Sequence, residues 1–99
     1  MNVQINAVKF KADKKLEDFI QNKVNKLTQF YDGVIGSEVT LKVDANEKPE
    51  NKITEIRLKI PGNDLFAKKQ TDSFEESTDI AVEALRRQLK KHKEKVRGK

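Results

Sequence analysis

Ninety-nine residues, 35% apolar and 37% charged, set the scale of one small domain with a modest core and a heavily charged surface. The absence of cysteine excludes disulfides and thiolate metal sites, and the N-terminus holds neither the apolar run of a signal peptide nor the length of a membrane span. The formal net charge is +5, but it is not spread evenly: from Arg86 to Lys99 eight bases face Glu94 alone, making that segment +7 and leaving −2 for the other 85 residues.

Val3, Ile5 and Ala7 alternate with Gln4 and Asn6, the period of a half-buried strand. Asp13 is placed to cap the helix that follows. Its apolar positions, Leu16, Phe19, Ile20, Val24, Leu27, Phe30 and Tyr31, recur in steps of three and four and form one stripe. Gly33 and Gly36 are expected to end it and turn the chain. A second strand carries Val39, Leu41 and Val43 on one face and Glu38, Thr40 and Lys42 on the other. Asp44 to Lys52 reads as a polar hairpin loop. Ile56, Leu58 and Ile60 mark a third strand, Pro61-Gly62-Asn63-Asp64 a tight turn, and Leu65 to Gln70 a weaker fourth strand.

Asp72, with Glu75 three residues on, suggests a capping box opening a last helix that runs to about Val96. Its core stripe is Phe74, Thr78, Ala81, Leu85, Leu89, His92 and Val96. Acids fill the first half (Glu75, Glu76, Asp79, Glu83) and bases the second, an order that suits the helix dipole. The fold expected is α+β, a single domain of order β-α-β-β-β-α. A right-handed crossover sets the first two strands parallel, and both helices cover one face of a four-stranded sheet. Residues 97–99 are expected to fray.

On a helical wheel Arg86, Lys90, Lys93 and Arg97 fall in one line and Arg87, Lys91 and Lys95 in a second, with Leu85, Leu89, His92 and Val96 between them. Two basic ridges thus flank the packed edge. Successive bases on a ridge stand about 5–6 Å apart, close to phosphate spacing along a nucleic-acid strand. Like charges four residues apart cost a few tenths of a kcal/mol each. Folding does not need that cost, so a polyanion partner is the sharper reading and a solvated helix face the plainer one.

A membrane is disfavoured because the apolar stripe of this helix is already used against the sheet. No helix-turn-helix, zinc finger or basic zipper is present for reading DNA sequence. Most of the six aromatics sit on core stripes, with Phe10 and Phe66 the outward candidates, so stacking of single strands is not the leading mode. Recognition of folded RNA through phosphates and shape remains. The acids of the last helix have no partner histidine or nucleophile, and no phosphate loop or nucleophile elbow occurs, so no enzyme is expected. His92, the only histidine, cannot anchor a usual zinc site, and no cofactor or small-molecule substrate is expected.

The stretch from Arg87 to Lys95, RQLKKHKEK, resembles the C-terminal signature of the ribosome hibernation promoting factor family. Phe19 to Asp32, FIQNKVNKLTQFYD, is similar to that family's first helix. Asp72-Ser73-Phe74 stands where the family usually has Asp-Met-Tyr, so a tyrosine hydroxyl is lost there. The likeness spans nearly the whole chain in the same element order. It implies a bacterial protein; the N-terminal reading already makes a cytoplasmic location the default, and a monomer is expected. Such a protein binds the small ribosomal subunit and its 16S-type rRNA between head and body, overlaps the tRNA and mRNA sites, and silences translation under stress and in stationary phase. Carried over by position, the RNA contacts are Lys23 and Lys26 on the first helix and Arg87, Lys90, Lys91, Lys93 and Lys95 on the last. Arg86 and Arg97 join them from the wheel. The family's extra C-terminal domain and acidic tail have no counterpart before Lys99, which suggests the short form.

Two plainer readings stay open beside these. Lys23 lies within an apolar stripe and is either a snorkelling lysine or an amine aimed into a groove between the helices; His92 is either packed or in contact with RNA. A general binder of double-stranded RNA and a protein-interaction module that docks an acidic partner are the alternatives for the whole chain.

Overall fold

Alternation and helical periodicity resolve into β1 (Asn2–Ala7), α1 (Lys14–Phe30), β2 (Gly36–Val43), β3 (Lys52–Ile60), β4 (Asn63–Thr71) and α2 (Phe74–Arg97). The computed structural model describes residues 2–45 and 49–97, with side chains through Lys95. The sheet has the order β1-β2-β3-β4, with β1 parallel to β2 and the remaining pairs antiparallel. A parallel pair requires a crossover, and α1 supplies it.

Both helices cover one face of the sheet. Val39 and Leu41 of β2 and Ile56, Leu58 and Ile60 of β3 meet Ile20, Val24 and Leu27 of α1 and Ala81, Leu85 and Leu89 of α2 in a single core. The opposite face carries charges of both signs that pair across strands: Lys42 with Glu55, Lys59 with Glu38, and Arg57 with Asp64. These pairs are partly exposed and add little stability, but they keep that face polar.

Several local features differ from the sequence reading. The first helix stops at Phe30, before either glycine, where the Tyr31 backbone turns extended and its N–H donates to the Leu27 carbonyl. Gly33 serves a close approach: a Cβ there would lie 2.6 Å from the Tyr31 ring. Gly36 is already part of β2, paired with Asn2. The second hairpin turns on Pro61-Gly62 alone, with Gly62 at φ 77, so Asn63 and Asp64 belong to β4. Strand β3 begins at Lys52, and the loop before it is closed by the Asp44 N–H donating to the Asn51 carbonyl. Residues 46–48 of that loop lie outside the described residues, as do residues 98–99 of the expected frayed tail and the side chains of Val96 and Arg97.

The early part of β3 escaped a pattern search because Thr54 is polar yet fully buried. Its Oγ1 lies 2.6 Å from Ser77 Oγ and 3.3 Å from Thr78 Oγ1, so three core hydroxyls satisfy one another between β3 and the start of α2. Phe10, read as outward, instead stacks on Phe74 with centroids 5.2 Å apart, whereas Phe66 is exposed as expected.

The N-cap of α1 is Asp13, whose carboxylate accepts from the Leu16 N–H at 2.8 Å. The cap of α2 is Ser73, one residue later than read: its Oγ accepts from the Glu76 N–H at 3.1 Å. Asp72 instead lies beside Glu76, and this second carboxylate raises the Glu76 pKa above the usual range. A raised carboxyl pKa adds stability that is present below the ordinary value and lost as pH rises through the raised one. Two outcomes follow for urea unfolding. Ser73→Ala should cost about 1 kcal/mol. Asp72→Asn should cost less than that at neutral pH, and any gain it brings by relieving Glu76 should vanish in acid.

Candidate nucleic-acid interface

The burial of α2 decides where its bases face. Ala81, Leu85 and Leu89 are completely inaccessible, so the ridges on either side of that stripe emerge on opposite flanks. The two helices run in the same direction, since Lys23 meets Asp79 and, further along both, Tyr31 meets His92. Arg86 and Lys93 face α1: the Arg86 guanidinium lies 5.7 Å and the Lys93 ammonium 4.6 Å from the Phe30 ring centroid. Arg87, Lys91 and Lys95 are exposed on the other flank, the side on which Gln88 donates to the Phe66 carbonyl of β4. The structure thus brings Lys23, Arg86 and Lys93, with Lys90 beside them, to the seam between the helices. It leaves the second ridge on a separate surface.

Charge along the seam is graded. Near its start Lys23 lies 3.1 Å from Asp79, with its ammonium 5.6 Å from the Phe19 centroid. Both readings of this lysine meet in one geometry: the stem is packed, and the amine reaches the seam but is held there by an acid. Arg86 is clamped by Glu83, with Nη2 at 2.8 Å and Nε at 2.9 Å from the same carboxylate oxygen. The pair holds the Glu83 carboxyl below its usual pKa and the Arg86 guanidinium above its own. Beyond Glu83 the described seam turns basic, through Lys90 and Lys93. Lys26 is exposed on α1.

Part of this basicity has a structural task. The first helix has no base in its own last turn, and its final carbonyls lack intrahelical partners. Lys93 reaches across from α2 and donates to the Phe30 carbonyl at 3.0 Å, placing a cation at the negative end of the neighbouring helix. His92 is half-buried, with its ring edge-on to Tyr31 at 5.4 Å, which is a packing position.

A cavity of about 280 Å³ opens here, lined by Phe30, Arg86, Lys90, Lys93 and Glu94. The sequence places Phe30 on the core stripe, where it does pack in part against the core, and marks Glu94 only as the one acid of the basic segment. On a wheel Phe30 sits at the margin of the α1 stripe, off the line of Ile20, Val24 and Leu27, and that offset was the available signal. Among the described residues no group of three or more His, Cys, Asp and Glu side chains is placed to hold a metal, and no helix is long and apolar enough to cross a membrane.

Comparison with known proteins places this geometry in context. A family model described as Sigma 54 modulation protein / S30EA ribosomal protein matches residues 3–97. A ribosome hibernation promoting factor of Pseudomonas putida is 32% identical over 95 residues, covering 96% of this chain and 89% of that protein. A ribosome hibernation promotion factor of Bacillus subtilis is 27% identical over the whole chain, which spans 52% of that protein's length. In fold, the chain matches a ribosomal subunit interface protein from Coxiella burnetii with a TM-score of 0.82 at 19% identity, covering 94% of this chain and 98% of that one.

Replacing Lys93 by methionine keeps the stem and removes the charge from the end of α1. A loss of about 0.3–1 kcal/mol is expected, read as a lowered thermal midpoint. No comparable loss is expected for Lys90→Met, since no bond from Lys90 to that carbonyl is seen.

Proposed function

The chain belongs to the Sigma 54 modulation protein / S30EA ribosomal protein family, and from that premise we propose that it is a ribosome-associated translation inhibitor, a hibernation factor that docks on the RNA of the small ribosomal subunit. The observation that carries this reading is the distribution of charge on α2. Of the acids in its first half, Asp79 and Glu83 hold Lys23 and Arg86, while its second half presents bases on two flanks. A helix that is basic on both sides suits a cleft walled by RNA better than a single flat surface, because phosphates on either wall find a cation. The predicted contacts are Lys23, Arg86, Lys90 and Lys93 along the seam, Lys26 on the exposed surface of α1, and Arg87, Lys91 and Lys95 on the far flank. Arg97 follows the first ridge in sequence. Lys23 and Arg86 would exchange their carboxylate partners for phosphate, or remain as rigid supports.

Seated in the channel between head and body of the small subunit, such a domain occupies the space of tRNA and mRNA and silences the ribosome. Stationary-phase or stressed cytoplasm is the setting in which a bacterial cell uses that state, and a single copy suffices for it. The names of the Pseudomonas and Bacillus relatives support the hibernation role. A general affinity for double-stranded RNA is the competing reading, and the same experiment separates the two.

The Lys91→Glu, Lys95→Glu double variant should keep its unfolding transition and lose co-sedimentation with small subunits on sucrose gradients. Continued co-sedimentation would refute the far-flank assignment. Wild-type affinity should fall with salt by about 0.7–0.9 log units per log unit of salt for each phosphate engaged. A plain A-form duplex that competes as well as ribosomes would replace this reading with general RNA binding.

A further inference from the structure

Phosphate binding does not account for the make-up of the cavity between the end of α1 and the middle of α2. A phosphate site calls for cations and backbone donors; it needs no aromatic ring, and a carboxylate in it works against binding. This cavity has both, Phe30 and Glu94, beside Arg86, Lys90 and Lys93. Glu94 is also the only acid between Arg86 and Lys99. The other acids on this side of α2, Asp79 and Glu83, hold Lys23 and Arg86. At about 280 Å³ the space lies at the small end of ligand pockets, which begin near 300 Å³. It has room for a single nucleotide, not for a duplex.

We propose that this cavity receives one unpaired guanine nucleotide of RNA, a refinement that rests on the RNA-binding reading above. Each wall has a part. The Phe30 ring offers a face on which a base can stack, a contact open to any base. The Lys93 ammonium lies 4.6 Å from that ring and donates to the Phe30 carbonyl, so a base that stacks there exchanges these contacts for one from Lys93 to its flanking phosphate, with Lys90 beside it. Arg86, fixed by two contacts to one Glu83 oxygen, sets a second cation 5.7 Å from the same ring. Selectivity comes from Glu94. An ionised carboxylate only accepts hydrogen bonds, and among the four bases only guanine presents two adjacent donors, N1–H and the N2 amino group, on its Watson–Crick edge. Adenine, cytosine and uracil each set an acceptor beside their donor there. That edge is free only when the guanine is unpaired, as in a loop or bulge.

The test is an NMR titration of the whole chain with the pentanucleotides UUGUU, UUAUU and the inosine analogue of UUGUU, and with GMP alone, following the Phe30 ring protons. UUGUU should shift them and bind at least about fivefold tighter than the adenine form, as loss of a two-bond base contact implies, with the inosine form, which keeps N1–H but lacks the N2 amino group, between the two. Glu94→Gln, an exposed change that leaves the core intact, should erase that preference; Phe30→Leu should weaken all three oligonucleotides. Equal affinities for the three would overturn the assignment to guanine. GMP binding as tightly as UUGUU would overturn RNA as the source of the nucleotide. A Phe30 ring that no oligonucleotide shifts, in a protein that still co-sediments with ribosomes, would end the cavity proposal and leave the ribosome reading standing. A guanine preference in a protein that does not co-sediment would do the reverse.

Discussion

The buried stripe of α2 is the constraint on which the rest depends. Ala81, Leu85 and Leu89 admit no solvent, and the hydroxyls of Ser77 and Thr78 meet Thr54 at the strand below. Rotating the helix would expose those leucines and leave buried hydroxyls without partners, a cost of about 1–3 kcal/mol for each orphaned group. The helix is therefore locked about its own axis, and every base on it faces a direction set by the core. The surface chemistry of this protein is a consequence of its packing.

The parallel course of the two helices has an electrostatic consequence. Their carbonyl ends point the same way, so the negative ends of two helix dipoles lie near each other. Lys93 answers this at the end of α1. The holding groups change along the seam: at its start acids hold the cations, and toward its end the Phe30 carbonyl holds Lys93.

The element order, the shared face of the sheet and the positions of the basic residues were legible because each rests on a local period, two for a strand and 3.6 for a helix. The misreadings arose where a residue's task depends on a neighbour distant in sequence. Thr54 does not read as part of the strand marked by Ile56, Leu58 and Ile60, because its partners, Ser77 and Thr78, lie on the last helix. Gly33 looked like a helix terminator because its crowding by the Tyr31 ring cannot be read from composition. Ser73 and Asp72 are both good caps in sequence, and only the backbone path chose Ser73.

The sequence by itself determined that α2 carries two lines of bases on either side of an apolar stripe, because helix geometry alone fixes those angles. It could not say which line meets the first helix, since the flanks of a wheel are equivalent until a sheet is placed beneath it. The tertiary structure made that choice. With β1 and β4 at opposite edges and α1 lying over the β1 side, Arg86 and Lys93 turn inward to Phe30, while Arg87, Lys91 and Lys95 face away. The seam, its paired acids and the cavity at Phe30 exist only because the sheet order sets two separately encoded helices side by side.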